Sequence, residues 1–444
     1  MLGDWLTAIG QSWPFLGLIV FIAGYPLLTA CMWIATSLIY MAHRERSDDG
    51  FYNIADCDLP TITILVPAYN EGVTLDAALE RMHHLDYPAY QVLVIDDGSS
   101  DGTAAIARRH TEADERFRLL RKEVNEGKAM AMNDAMPLVD SELVVVVDAD
   151  AGIRPDALRY IAAHFVRLAR VAAVTGNPRV ANREGVLTEL QTLEFTSIVS
   201  VLRRAQVVWG RVLTVSGVIS AFRTSALRDV GLFDPTMATE DIDVTWRLQR
   251  RFYDVRYEPR ALVDMTVPGT LRALWRQRRR WALGLVQVLR RHWRIALDWR
   301  CRRQWPVLVE ATLSIMWAHA FIVLMCFWLA SLVAGIEPVG ASPFPNGWGM
   351  LIGSVCLLQL SVGVFLDRRY DRSVTRALWI APLYPLVYWA LMAAVTVRTT
   401  VPALLAADRS RLAQWHTPRA GAVEPSYAQE TPVAEGTAAS PSRL

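Results

Sequence analysis

Between Pro14 and Met41 the chain is apolar and essentially uncharged. About 20 such residues cross a bilayer as a helix, so this stretch reads as a membrane span around which the rest must be arranged. It is too long for a signal-peptide core, and His43, Arg44 and Arg46 follow it directly. Positive flanks stay on the cytoplasmic side, which places the residues after 42 there. The remainder is not all membrane: of 444 residues, 52% are hydrophobic but 20% are charged. That balance fits a folded domain fused to membrane helices better than a soluble protein or a transporter bundle. A net charge of +2 gives no reason to expect nucleic acid as a partner. Five scattered cysteines without a C-x-x-C spacing argue against a disulfide framework and a zinc site. No metal is assigned to any histidine either, since His83 and His84 are adjacent and cannot share a helix face.

The spacing divides the chain into an N-terminal anchor (1–46), a polar linker (47–60), an α/β domain (61–265), a basic interfacial helical stretch (266–304), C-terminal membrane helices (305–405) and a polar tail (406–444). In the α/β part, strand-like runs at Thr61–Val66, Gln91–Ile95, Arg118–Leu120, Leu143–Val147 and Ala172–Thr175 alternate with helical patterns. Beyond 300, Val307–Val333, Met350–Phe365 and Leu378–Leu405 are each apolar enough to span, and the last carries Pro382, Pro385 and Arg398, which predict a kink or a split. Simple alternation of three such spans puts Arg409, Arg411 and Arg419 outside, against the positive-inside rule. The tail from Thr417 has the composition of a disordered segment.

The chemistry gathers at the ends of the predicted strands. Leu143–Val147 is a buried parallel strand by its β-branched run, and Asp148 and Asp150 follow it. Ligands of open α/β sheets sit beyond the carboxyl ends of strands, and two acids there suit a divalent cation shared with phosphates. The first strand ends in Pro67-Ala-Tyr-Asn-Glu71. Tyr69 offers a stacking face and Asn70 and Glu71 offer hydrogen bonds, or Asn70 simply caps the next helix. The second ends in Asp96-Asp97-Gly98; Asp97 is a candidate acceptor for a nucleobase or ribose, or part of a capped turn. Lys128, one of only two lysines, stands at a predicted helix start, which favours phosphate, although an exposed surface lysine is the simpler alternative. Glu240 and Asp241, in Thr239-Glu-Asp-Ile-Asp243, open another helix. They are either dipole partners or hold a general base at 241. Gln277-Arg-Arg-Arg-Trp281 lies in a basic, Trp-bearing stretch before the membrane, suited to headgroups and equally to sugar and phosphate.

Taken in chain order, Pro-x-Tyr-Asn-Glu, Asp-Asp-Gly-Ser, Gly-Lys, Asp-x-Asp, Thr-Glu-Asp and Gln-x-x-Arg-Trp, these six motifs resemble the processive family-2 glycosyltransferases over roughly residues 60–300. Thr175–Arg179, Thr214–Arg223, Ala238–Gln249 and Tyr257–Ala261 are most similar to the bacterial poly-β-1,6-N-acetylglucosamine synthases. The resemblance implies a GT-A-type, Rossmann-like cytoplasmic domain inserted between transmembrane helices of the inner membrane. It implies an inverting polymerase using a UDP-sugar donor and a growing polysaccharide acceptor, with Mg²⁺ or Mn²⁺ and a small membrane accessory subunit. It assigns Tyr69, Asn70, Glu71, Asp97 and Lys128 to the uridine and diphosphate, and Asp148 and Asp150 to the nucleotide and metal. Asp241, beside Glu240, becomes the base, and Gln277, Arg280 and Trp281 fall at the diphosphate and acceptor. Trp281 is followed by Ala-Leu-Gly284 where the family usually reads Ala-Gln-Gly, a departure on the acceptor side. A synthase of another β-linked polysaccharide and a non-catalytic UDP-sugar-binding scaffold remain the competing readings.

Overall fold

The computed structural model describes Leu6 and residues 8–45, 50–335 and 347–405. The expected tail from 406 and the flanking Arg46 lie outside the described residues. The chain enters through α1 (Trp13–Tyr40), which carries Pro26, and then builds one eight-stranded sheet. In chain order the elements are β1 (Ile62–Ala68), α2 (Leu75–His83), β2 (Tyr90–Asp97), α3 (Thr103–Ala113), β3 (Phe117–Lys122) and α4 (Lys128–Ala135). Then come β4 (Leu143–Val147), β5 (Gly152–Ile153), α5 (Ala157–Arg167), β6 (Val171–Val180), α6 (Ser200–Trp209), β7 (Ile219–Arg223), α7 (Glu240–Arg250) and β8 (Asp254–Met265). The strand order is β3-β2-β1-β4-β7-β6-β8-β5. β3, β2, β1 and β4 are parallel, whereas β7 runs antiparallel to both of its neighbours.

Residues 143–147 show why the central run is apolar throughout. Leu143, Val145 and Val147 pack among residues of α2, α3 and α5 on one face. Val144 and Val146 pack with α4 and α7 on the other. A strand covered on both faces has no solvent side to alternate with. The register pairs Ile62 with Leu143 and Ala68 with Asp96, so the strand ends carrying Tyr69, Asp97 and Asp148 lie along one rim.

Beyond the sheet, α8 (Leu271–His292) leads through two short 3₁₀ turns into α9 (Trp305–Val333), α10 (Gly347–Asp367) and α11 (Trp389–Leu405). Four segments, Trp13–Glu45, Trp299–Val333, Gly349–Asp367 and Tyr384–Leu405, are long and apolar enough to cross a bilayer. The last begins later than Leu378: Arg372–Ile380 is a separate 3₁₀ segment packed through Val374, Ala377 and Ile380, and Pro382 and Pro385 fall at the break. The membrane helices are fastened to the sheet. Tyr40 donates to the Tyr257 carbonyl at 2.9 Å, and Arg204 of α6 lies between Glu45 at 2.6 Å and Asp367 at 2.8 Å, all fully buried.

Candidate active site

The rim is a set of loops that hold one another. Gly98 turns the chain after β2 at φ +74°, and a Cβ there would meet the Val124–Asn125 backbone at 2.9 Å, so only glycine fits. Asn70 also adopts a left-handed φ of 54°, tolerable for Asn. Its N–H donates to Ser99 Oγ at 2.9 Å, and its Oδ1 accepts from the Ser100 N–H at 3.0 Å. The Glu71 N–H donates to Thr103 Oγ1 at 2.9 Å, and Glu71 Oε2 accepts from Thr74 Oγ1 at 2.7 Å. The predicted capping role of Asn70 is not observed: α2 starts at Leu75, behind Thr74 as its N-cap residue. Tyr69 is half-buried at the end of β1.

Asp97 is fully buried. It accepts from the Gly127 N–H at 2.8 Å and the Glu126 N–H at 3.2 Å, and it pairs with Lys122 at 3.3 Å. Asp97 thus fixes the loop that delivers Lys128 to the start of α4. Lys122, not singled out by the sequence reading, also meets Glu126 at 2.8 Å and Asp134 at 2.7 Å.

The charged centre forms around Gly217. Lys128 Nζ stands 2.5 Å from Asp148 Oδ1, 3.0 Å from the Gly217 carbonyl and 3.9 Å from Glu240 Oε1. A Cβ at Gly217 would lie 3.5 Å from Asp241 Oδ2 and 3.6 Å from Lys128 Nζ. Burial opposes the charge on Lys128, but Asp148, Glu240 and Asp241 outweigh it and raise its pKa. Asp241 moves the other way from a normal carboxylate: burial and the neighbouring Glu240 push it up to about 6, against the pull of Lys128 and Arg280. An acid with a shifted pKa, half-exposed in a charged cleft, has the signature of a reacting group. Buried Arg203, invisible to sequence reasoning, donates to the Gly176 carbonyl at 3.3 Å and feels the charge of Asp241.

α8 closes this centre from the membrane side. Arg280 donates to the Ala238 carbonyl at 3.2 Å, and Gln287 accepts from the Ala238 N–H at 2.9 Å. His292 bonds Asp243 at 2.9 Å, and Arg291 pairs with Asp234. A Cβ at Gly284 would fall 2.0 Å from Thr239 Oγ1, so the glycine that ends Trp-Ala-Leu-Gly is what lets α8 reach the Thr-Glu-Asp turn. Trp281 is not in the cluster. Arg278 covers its ring at 3.9 Å, the edge of Phe195 approaches at 6.3 Å, and Arg278 is itself tied to Glu194 and Tyr388. Gln277 keeps a buried Oε1 without a hydrogen-bond partner.

Asp148 and Asp150 share the turn after β4. Asp148 is buried against Lys128, whose ammonium stands where a cation would neutralise it; Asp150 is half-exposed and lines a small cleft with Arg81, Thr74 and Asp264. Two carboxylates on one turn are the hard-oxygen donor type that Mg²⁺ and Mn²⁺ take. Arg81 and Asp264, 3.7 Å apart, were also missed, because they come from α2 and β8.

Comparison with known proteins gives the same picture. Residues 60–284 match the glycosyltransferase-like family 2. The chain is 32% identical to a poly-β-1,6-N-acetyl-D-glucosamine synthase of Staphylococcus epidermidis, over 91% of this chain and 98% of the relative. It is 33% identical to the Staphylococcus aureus protein of the same name, over 90% and 98%. The fold matches a mannosyltransferase of Pyrobaculum calidifontis, solved with GDP-mannose and Mn²⁺, at TM-score 0.63 and 23% identity, covering 90% of this chain and 99% of that one.

Proposed function

Because the chain belongs to glycosyltransferase family 2, we propose that it is a processive synthase that polymerises N-acetylglucosamine from UDP-GlcNAc into a β-1,6-linked exopolysaccharide at the inner membrane. The observation that carries this reading is the cluster at Gly217, with Lys128, Asp148, Glu240 and Asp241 under α8. In this reading Tyr69, Asn70 and Glu71 form the uridine side. Asp97 acts through the 125–128 loop that it fixes. Asp148 and Asp150 would hold a divalent cation with the diphosphate; such an ion supplies charge stabilisation to the departing UDP. Lys128 and Arg280 add positive charge there, and Gln277 and Trp281 lie on the acceptor side.

Asp241 accepts the proton of the acceptor 6-hydroxyl. The freed oxygen bonds to the anomeric carbon as its bond to the UDP oxygen breaks on the opposite face. One displacement converts an α-linked donor into a β-linked product. Insertion of the domain between membrane spans supports export of the chain as it grows, with an accessory membrane subunit assisting. The test uses the full chain in lipid nanodiscs with Mg²⁺ and radiolabelled UDP-GlcNAc, UDP-Glc or UDP-GlcA. UDP-GlcNAc alone should give long product, cleaved by a β-1,6-specific hydrolase; polymer made from another donor would overturn the sugar assignment.

A further inference from the structure

Two histidines at the far ends of α2 and α3 face one another in a way that a pair of neutral imidazoles does not tolerate alone. His83 Nε2 and His110 Nδ1 are 2.9 Å apart. The outer nitrogens are both committed: His83 Nδ1 lies 3.0 Å from Asp114 Oδ2, and His110 Nε2 lies 2.8 Å from Asp76 Oδ1. Carboxylate oxygens accept, so each ring donates from its outer nitrogen, to Asp114 and to Asp76. The two inner nitrogens are then lone pairs pointing at each other, and something positive must lie between them, either a proton or a metal ion.

A third donor favours the metal. Glu80 stands three residues before His83 on the same helix face, and one of its carboxylate oxygens lies within 4.8 Å of a ring nitrogen of each histidine. Its present partner is the exposed His84, at 3.6 Å, a pairing worth little. Metal-bound histidines characteristically donate their other N–H to a carboxylate, and here both do. We propose that Glu80, His83 and His110 bind one divalent transition-metal ion, Zn²⁺ by the nature of the ligands, with Asp114 and Asp76 orienting the two rings. Tetrahedral Zn–N bonds of about 2.0–2.1 Å set two nitrogens roughly 3.3 Å apart, so the rings must part by a few tenths of an ångström and tilt until both lone pairs meet at the ion. The site is separate from the hard-oxygen pair Asp148 and Asp150. It ties together the last turns of α2 and α3, whose first turns follow Glu71–Thr74 and Ser99–Gly102 on the donor rim. His83 and His110 lie 27 residues apart in the chain, which is why no sequence spacing announced them.

The experiment uses the full-length protein in detergent micelles, stripped with a chelator and then titrated with Zn²⁺ alone and with Co²⁺ alone. The expected result is about one Zn²⁺ per chain, tetrahedral visible bands with Co²⁺, and a rise in melting temperature on adding Zn²⁺. His110→Ala should abolish all three, whereas Asp150→Asn should leave them. Asp76→Asn should weaken binding by about 10–100-fold. Glu80→Gln changes an exposed side chain and keeps the fold, so weaker Zn²⁺ binding by that variant reports on ligation rather than unfolding. A wild-type protein that binds no Zn²⁺, or binds it as well after His110→Ala, holds a shared proton only and overturns the proposal.

Discussion

At the membrane junction Arg204 is bonded on two sides, to Glu45 and Asp367, with all three side chains almost wholly enclosed; at Gly217 Lys128 faces Asp148, Glu240 and Asp241, and Asp241 keeps an exposed edge. Arg179 at 2.8 Å from Asp367 and Arg369 at 3.5 Å from Glu45 complete the first arrangement, three guanidinium groups to two carboxylates. The second leaves more acid than neighbouring base, and burial, with the neighbouring Glu240, raises the pKa of Asp241. A network in which each buried carboxylate has guanidinium partners is expensive to break and chemically quiet; one with an excess of acid is poised to take a proton. The same fold uses one to hold its parts together and the other to react.

Four single substitutions, two of them followed by a combined change, sharpen or break this contrast. Asp241→Asn should cut polymer synthesis by about 10²–10⁴-fold while UDP binding stays; near-normal turnover would remove the base from the scheme. Since burial lifts Asp241 to about 6, its ionised form is lost as pH falls through that value. Turnover should therefore rise with pH through about 6 and then level, and this limb should vanish in the variant. Arg204→Ala removes the guanidinium shared by Glu45 and Asp367, whose remaining guanidinium partners are Arg369 at 3.5 Å and Arg179 at 2.8 Å, and should lower stability by about 3–5 kcal/mol, read as a fall in the melting temperature in detergent. Changing Glu45, Arg204 and Asp367 together to Leu, Met and Leu should not recover that loss, because buried Arg179 then loses Asp367. Lys128→Met should raise the KM for the donor by an amount equivalent to about 1.5–3 kcal/mol, the worth of a hydrogen bond to a charged group, and should lower the melting temperature, because Asp148 and Glu240 lose their counter-charge. Gly284→Ala drives a methyl into Thr239 and should cost about 1–3 kcal/mol, together with activity. Adding Thr239→Ala, which removes two of the three nearest atoms, should restore part of the stability.

What could be read from the sequence followed a physical line. β1, β2 and β4 were visible because strands buried on both faces must be continuously apolar. β7 and β8 were not: Ile219–Arg223 is short and carries Ser220 and Arg223, while Asp254–Met265 includes Pro259 and several charges. β5 has only two residues. At the site, Lys128, Asp148, Glu240 and Asp241 were legible because each ends a strand or opens a helix. Arg81, Arg203 and Asp264 reach it only through tertiary packing, which no local pattern records. Arg278 lies three residues before Trp281, so its place over that ring follows helix geometry and could have been anticipated.

The contact between Gly284 and Thr239 leaves no cushion between a helix and a reactive turn. α8 runs on, through two short turns, into a bilayer-crossing segment. A shift of α8 therefore reaches the Thr239–Asp241 turn with no side chain between them to absorb it. The glycine ties the position of the reactive turn to that of the helix that leads toward the apolar segment.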